Sequence, residues 1–399
     1  MSPLGIVNSA EGDYFLYRLI YMNHASTSPR KSERVTEALI EQLKQNRLLS
    51  AGRNFEGLED GAVMFRARKA LAKLFGLSQA ANVILTGGVT LSLNMILGGF
   101  LKQGDHVLAT HVEHNAVARP LTLLRKKGII EVDFLACAPD GGFDPHCIGK
   151  NVKSNTRLFI MTHASNVLGT VLPAAECFAE AKQFGLFTVL DAAQTAGLLP
   201  LGLDENTDVL AFTGHKGLGG LPGSGGFALG KDAAAAIDPW ISGGTGSASQ
   251  SLDQPDFLPD KFESGTANIP GILSLAVAVE ELLERGLSPI RERTKNLTRR
   301  FLAGLRAIPN LVIHGPGDPE RSTPVVSVSS PGLDNARLAR RLYDEYGIIT
   351  RCGLHCSPLA HQSAGTFPEG TLRFSFGYDT TEEEIDIALK ALENLLRDP

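Results

Sequence analysis

Between residues 83 and 230, short apolar runs alternate with longer amphipathic stretches. The runs at 83–86, 106–110, 131–135, 158–162, 187–190, 209–212 and 226–229 have the length of buried strands. Stretches at 91–101, 116–127 and 174–184 read as helices between them. Strand–helix alternation with short links predicts a mostly parallel sheet covered on both faces. No helix separates the last two runs, so the seventh strand is expected to return antiparallel. Further on, 272–284 and 289–308 predict two long helices. Past Pro309 the pattern changes: 325–329, 348–350 and 371–376 look like strands of a smaller sheet. An amphipathic helix at 382–396, with Thr381 as its N-cap, closes the chain. The expected fold is therefore α/β, with a seven-stranded, mostly parallel sheet in a large domain over 21–286. A smaller α+β domain would cover 287–399, with residues 1–20 packing on it.

The 399 residues suffice for a large and a small core. The net charge of −5 gives no global attraction for nucleic acid or anionic lipid. Arg291, Arg293, Lys295, Arg299 and Arg300 have helical spacing and read as a solvated helix face. The first 18 residues hold Glu11 and Asp13 and lack the pattern of a signal peptide. The run 83–101 is too broken by polar residues and glycines to cross a membrane. Cysteines 137, 147, 177, 352 and 356 are odd in number and scattered, which fits a reduced, cytoplasmic setting.

The chemistry-bearing residues fall where the strand candidates end. Ligands bind at that edge of an open α/β sheet. The turns there are Thr86-Gly-Gly-Val-Thr90, Glu113-His-Asn115, His163-Ala-Ser-Asn166, Asp191-Ala-Ala-Gln194 and Thr213-Gly-His-Lys216. Lys216 ends one apolar run and enters a glycine-rich stretch. Asp191 ends the run one β-α step earlier. A lysine able to form an imine and an acid able to hold a pyridinium nitrogen are the two groups that pyridoxal phosphate needs. Gly87-Gly88 with Thr90 could hold a phosphate at a helix N-terminus, with Thr213 and His215 donating to it, or could be a plain βα turn. Gln194 could bond the ring hydroxyl. His114 could stack on the ring, or be structural. By itself, Asp191 could cap the next helix and Lys216 could be a surface lysine.

A second constellation lies at Arg351-Cys-Gly-Leu-His-Cys356-Ser-Pro. Cys352, His355, Cys356 and His361 match no common closed zinc spacing, so no metal is expected. Cys356 instead reads as a reactive thiol in a loop, with Arg351 and a nearby histidine favouring its thiolate. Arg373 alternates with apolar residues on a strand. A buried arginine there could take a substrate carboxylate through a bidentate pair.

The chain resembles the class V aminotransferase family of fold-type I PLP enzymes, and within it the cysteine desulfurases and selenocysteine lyases. The likeness runs from Tyr21-Met-Asn-His-Ala-Ser-Thr-Ser to the last helix. It rests on Glu113-His-Asn-Ala-Val117, Ser165-Asn-Val-Leu-Gly-Thr170, Asp191-Ala-Ala-Gln194, Thr213-Gly-His-Lys216 and Glu263-Ser-Gly-Thr-Ala-Asn268. Arg351-x-Gly-x-His-Cys356 looks like the short-loop desulfurases. The resemblance implies that Lys216 bonds the cofactor and shuttles a proton. It further implies that Asp191 pairs with the ring nitrogen, Gln194 bonds the ring oxygen and His114 stacks. Thr90, Thr213 and His215 would hold the phosphate. Thr266 would reach the phosphate of a partner subunit, which implies a homodimer. Asn166 and Arg373, with Arg351 nearby, would orient L-cysteine. Cys356 would take its sulfur as a persulfide, leaving alanine and awaiting an acceptor protein or a reductant.

The match has departures. His24 stands where many relatives carry asparagine, and Asn115 where some have a second histidine. The segment 50–60 lacks the histidine expected beside the active site. These differences bear on the substrate more than on the cofactor. A selenocysteine lyase, another β-lyase or an aminotransferase is the alternative reading. A non-catalytic relative of the fold is a third.

Overall fold

The computed structural model describes residues 4–8, 14–44 and 58–397. Seven strands form the large sheet in the order Val83–Thr86, Gly225–Leu229, Val209–Thr213, Phe187–Asp191, Thr156–Thr162, Asp105–Thr110 and Ile130–Leu135. Gly225–Leu229 runs antiparallel to both its neighbours, and the other pairs are parallel. The connectivity follows the expected one. Strand ends differ from the apolar runs by a residue or two.

Period-two alternation along the strands feeds two cores. Phe159 and Met161 point to the face covered by helices Leu58–Leu74, Ala174–Gln183 and Ile269–Arg285, where they meet Leu71, Phe178 and Leu275. Leu158 and Ile160 point to the other face, under helices Val89–Phe100 and Asn115–Lys126, where they meet Ile96 and Val117. With both faces covered, the polar strand ends form the sheet's accessible edge.

The smaller sheet is antiparallel, in the order Val312–His314, Val325–Ser329, Thr371–Ser375, Arg351–Gly353. Helices Leu287–Arg306, Asn335–Tyr346 and Glu382–Arg397 pack with it around Phe301, Leu342, Phe374 and Leu392. One expectation is corrected. The run at 348–350 does not join this sheet. Its two strand residues, Ile348–Ile349, pair in parallel with Ile20–Tyr21, because the buried Ile20 and Ile348 continue the same core. Strands Leu4–Asn8 and Tyr14–Arg18 form a hairpin. Thr381 starts the last helix in a capping box: its Oγ1 accepts from Glu384 N at 3.1 Å, and Glu384 Oε2 accepts from Thr381 N at 2.9 Å.

The basic helix face is engaged with protein partners. Arg293 donates to the carbonyls of Tyr378 and Thr380, Lys295 and Arg299 meet Glu320, and Arg300 meets Asp386 and Glu382. Among the described residues, no helix is long and apolar enough to cross a membrane. Of the segment 50–60, only the last three residues are described, at the start of helix Leu58–Leu74.

Candidate active site

The parallel strands of the large sheet end together at a crevice of about 670 Å³. Thr90, His114, Asn166, Gln194, Thr213, His215, Lys216, Arg351 and Arg373 line it. The last two come from the small sheet. Asp191 lies beneath, only 2 % exposed. Nine residues read as site candidates from sequence thus share one cavity; Asp191 and Cys356 do not line it, but both act electrostatically on Lys216, and Cys356 touches the lining residue Arg351.

Lys216 sits in the turn that follows Val209–Thr213. Burial, with Arg373 and Arg351 nearby, lowers its amine to about 8, against the opposing pull of Asp191. An amine near that value is neutral often enough at physiological pH to act as a nucleophile. Burial pushes the Asp191 carboxyl upward, opposed by Ala193 N and Lys216. Asp191 Oδ1 accepts from Ala193 N at 2.9 Å, and the second oxygen has no protein donor among the described residues. A buried carboxyl with one vacant oxygen suits a cationic heterocycle nitrogen.

At the far end, Gly88 has φ +138, a conformation only glycine adopts without strain. It turns the chain into helix Val89–Phe100, whose first turn carries Thr90. Thr213, at the end of its strand, and His215 face the same end. His215 Nδ1 is engaged with Thr27 Oγ1 at 3.0 Å, which leaves Nε2 for the crevice. Burial, with Lys216 next, lowers His215 to about 4. His114 has two roles. Its Nδ1 accepts from Ala116 N at 3.0 Å and so caps helix Asn115–Lys126, and its ring lines the crevice. Burial and then Lys216 lower it to about 4, so the ring is neutral at physiological pH. Gln194 Nε2 donates to Ala25 O at 3.1 Å.

On the other wall, the alternation of strand Thr371–Ser375 sends Leu372 and Phe374 into the small core and Arg373 toward the crevice. Arg373 donates to Asn166 O at 2.8 Å, Asn23 Oδ1 at 3.0 Å and Ser26 Oγ at 2.8 Å. No carboxylate accepts from it among the described residues, and its Nε has no partner. Arg351 lies opposite it in the strand register. Two facing guanidinium groups without an acid make an anion site.

Arg351 Nη2 donates to the sulfur of the exposed Cys356 at 3.3 Å. Cys356 and His355 both have left-handed backbone, φ +60 and +48. His355, the neighbour in sequence, is turned away from the sulfur. His355 is buried and its Nε2 meets Thr371 O and Oγ1 at 3.1 Å. Burial with Arg373 lowers it to about 2, so it carries no charge toward the sulfur. Asn166 also differs from expectation: both ends of its amide are engaged with the cysteine turn. Nδ2 donates to His355 O and Oδ1 accepts from Ser357 Oγ, each at 2.7 Å.

Thr266 lies outside the crevice. It lines a neighbouring recess of about 470 Å³ with Glu263, Ser264, Gly265 and Asn268, and the recess shares Gly87, Leu91 and Gly223 with the crevice. Arg68 holds this loop through a bidentate pair with the buried Glu263, which also accepts from Leu85 N. His24 does not line the crevice either. It lines an adjoining cavity that shares Ala25, Gln194 and Lys216 with the crevice, with Asp379 at 3.8 Å. Residues 23 and 26 were not singled out from sequence, although they hold both arginines. Their one signal is a polar stretch directly after the apolar Ile20–Met22.

The class-V aminotransferase model matches residues 20–388. A probable cysteine desulfurase of Methanothermobacter thermautotrophicus is 30% identical over 384 residues, 94% of each chain. A cysteine desulfurase of Pectobacterium atrosepticum is 29% identical over 345 residues, 84% of this chain and 83% of that one. Among solved structures, the apo cysteine desulfurase of Thermococcus onnurineus superposes with a TM-score of 0.88 at 27% identity, covering 96% of this chain and 95% of that one. A cysteine desulfurase of Escherichia coli in its S-sulfonic acid form gives 0.84 at 25% identity, covering 95% of each. With the motifs gathered at one sheet edge and the match spanning both sheets, the chain belongs to the class-V aminotransferase family.

Proposed function

We propose that this protein is a PLP-dependent cysteine desulfurase, converting L-cysteine to L-alanine and carrying the sulfur on Cys356. One observation carries the reading: an exposed thiol is held at 3.3 Å by Arg351, which lines the same crevice as Lys216. The desulfurase names of the relatives support it.

The crevice residues fit PLP. Asp191 would hold the ring nitrogen, His114 the ring face and Gln194 the ring oxygen. Thr90, Thr213 and His215 would hold the phosphate at the helix N-terminus. When bound, the cofactor would supply an electron sink for bonds at the substrate Cα. Lys216 would hold it covalently, and Nζ, beside the substrate Cα, would move the Cα proton. Arg373 and Arg351 orient the substrate carboxylate. Cys356 Sγ attacks the substrate sulfur: an S–S bond forms, the Cβ–S bond breaks, and Cβ gains a proton to become the methyl of alanine. Cys356 is left as a persulfide for an acceptor protein or reductant. Asn166 borders this path, with its amide on the cysteine turn.

A homodimer belongs to this reading. Phe65, Leu91 and Ile241 are exposed apolar residues around the Thr266 recess. A second copy covering them would bring Thr266 to the partner's phosphate. A reduced, cytoplasmic setting also belongs to it, because Cys356 must remain a thiol.

The test is product analysis of the wild type and Cys356→Ala with L-cysteine and L-selenocysteine. The reading expects alanine with L-cysteine, and for the variant an intact cofactor absorbance with sulfide release down about a thousandfold. Pyruvate as product, or full sulfide release by the variant, indicates a β-lyase. Alanine from L-selenocysteine alone indicates a selenocysteine lyase.

A further inference from the structure

The turn that presents Cys356 is held in an uncommon shape. Two consecutive non-glycine residues, His355 and Cys356, have φ near +50 to +60, a strained backbone that persists only where the surroundings impose it. Three attachments do so. Asn115 N donates to Cys356 O at 2.8 Å, from the first turn of the helix that His114 caps. His355 is anchored on Thr371. The third is the pair of bonds between Asn166 and the residues on either side of Cys356.

The chemistry of that pair is directional. The His355 carbonyl can only accept, so it takes the nitrogen end of the Asn166 amide. The oxygen end is then turned to Ser357 Oγ, fully buried, which donates to it. Asn166 in turn offers its backbone oxygen to Arg373. One residue thus joins the arginine of the anion site to the turn carrying the thiol.

We propose that Ser357 is a positioning residue for Cys356, bracing the oxygen end of the Asn166 amide so that the cysteine turn is latched with its sulfur against Arg351. This rests on the reading of Cys356 as the sulfur carrier. Ser357 touches neither substrate nor cofactor and acts through Asn166. Without its hydroxyl the amide oxygen loses its donor, the amide is held at one end in place of two, and the left-handed turn relaxes. A displacement near 1 Å at a reacting atom can cost about a hundredfold in rate.

The experiment is a double-mutant cycle of Ser357→Ala and Asn166→Ala, with Ser357→Thr as the variant that restores a hydroxyl. Two readouts are taken: kcat and KM for L-cysteine, and the rate at which iodoacetamide alkylates Cys356. The second needs neither turnover nor cofactor, so it reports on the latch even if the desulfurase reading fails. For Ser357→Ala the expected result is a kcat lower by about ten- to a hundredfold with KM within about threefold. Alkylation should slow by about threefold or more, as the sulfur swings off the guanidinium. Ser357→Thr should recover both. In the Asn166→Ala background, Ser357→Ala should add less than about twofold, because the two act as one unit. Unchanged alkylation in Ser357→Ala, or effects that multiply in the double variant, overturns the proposal. A raised KM with unchanged kcat also overturns it and assigns Ser357 to substrate binding. Should Ser357→Ala fail to fold, Asn166→Ala alone must still slow alkylation, or the latch is refuted.

Discussion

Arg373 is a cation with three neutral acceptors, an unpartnered Nε and 1 % exposure. Removing a guanidinium from water without a carboxylate is unfavourable, and Arg351 across the strand register adds repulsion. Burial first and Arg351 second lower Arg373 to about 9. A bound carboxylate offsets both effects. Arg373→Lys keeps the charge but loses the planar fork, so KM for L-cysteine should rise about ten- to a hundredfold while kcat changes less. A KM within twofold of wild type would place the carboxylate elsewhere. Arg373 was legible in sequence because it interrupts an apolar alternation on a strand. Cys356 was legible through its place after a glycine and a histidine and before Ser-Pro, with Arg351 five residues earlier. Ser357 was not, since a serine before proline reads as ordinary loop and its partner lies 191 residues away. Nor does sequence show where His355 points: it adjoins Cys356 in the chain, but its left-handed backbone turns it to Thr371.

The turn after Asp191 and the turn holding Lys216 are packed backbone to backbone. A Cβ on Gly217 would lie 2.5 Å from Ala196 O, and one on Gly197 would lie 2.4 Å from Gly217 O. Neither neighbour is a flexible side chain, so an added methyl must push the turns apart. Overpacking of this kind costs about 1–3 kcal/mol, and here the displaced segment carries Lys216. Gly217→Ala should therefore remain folded but bind PLP at least about tenfold more weakly, read by titrating absorbance against added cofactor. Wild-type affinity would mean that the two turns need not touch. At this scale the seven long strands and the long helices were legible, because burial on two faces leaves apolar runs bounded by polar ends. Arg351–Gly353 and Val312–His314 were not. Each is three residues long, with one or two polar residues, and is a strand only through its pairing with Thr371–Arg373 or Ser327–Ser329. Ile348–Ile349 was seen as a strand, but two residues carry no information about which sheet they join.

At the scale of the whole molecule, six histidines are held neutral chiefly by burial. His24, His114, His163, His215 and His361 are each lowered to about 4, and His355 to about 2. As pH falls below about 6.5, the unfolded chain binds protons that the folded chain refuses until near 4. Stability is therefore lost on acidification through that window. Three buried acids oppose this. Desolvation raises Glu113 to about 8 and Glu263 to about 7, and raises Asp191. Their folded forms keep a proton that the unfolded chain releases, so they favour the fold at low pH and less so as pH rises. Between about 4.5 and 6.5, six histidines act against three acids, and the histidines prevail. The unfolding midpoint should fall steadily from pH 6.5 to 4.5 in thermal melts at constant ionic strength. Above pH 6.5 the trend should flatten and then turn down as Glu263 and Glu113 ionise in place. His163→Gln removes one histidine whose Nδ1 meets only Thr195 Oγ1, away from the crevice lining, and should shallow the acid slope. A midpoint that is level or rises on acidification would mean that these histidines are charged in the folded protein, and the neutral ring assigned to His114 would go with them.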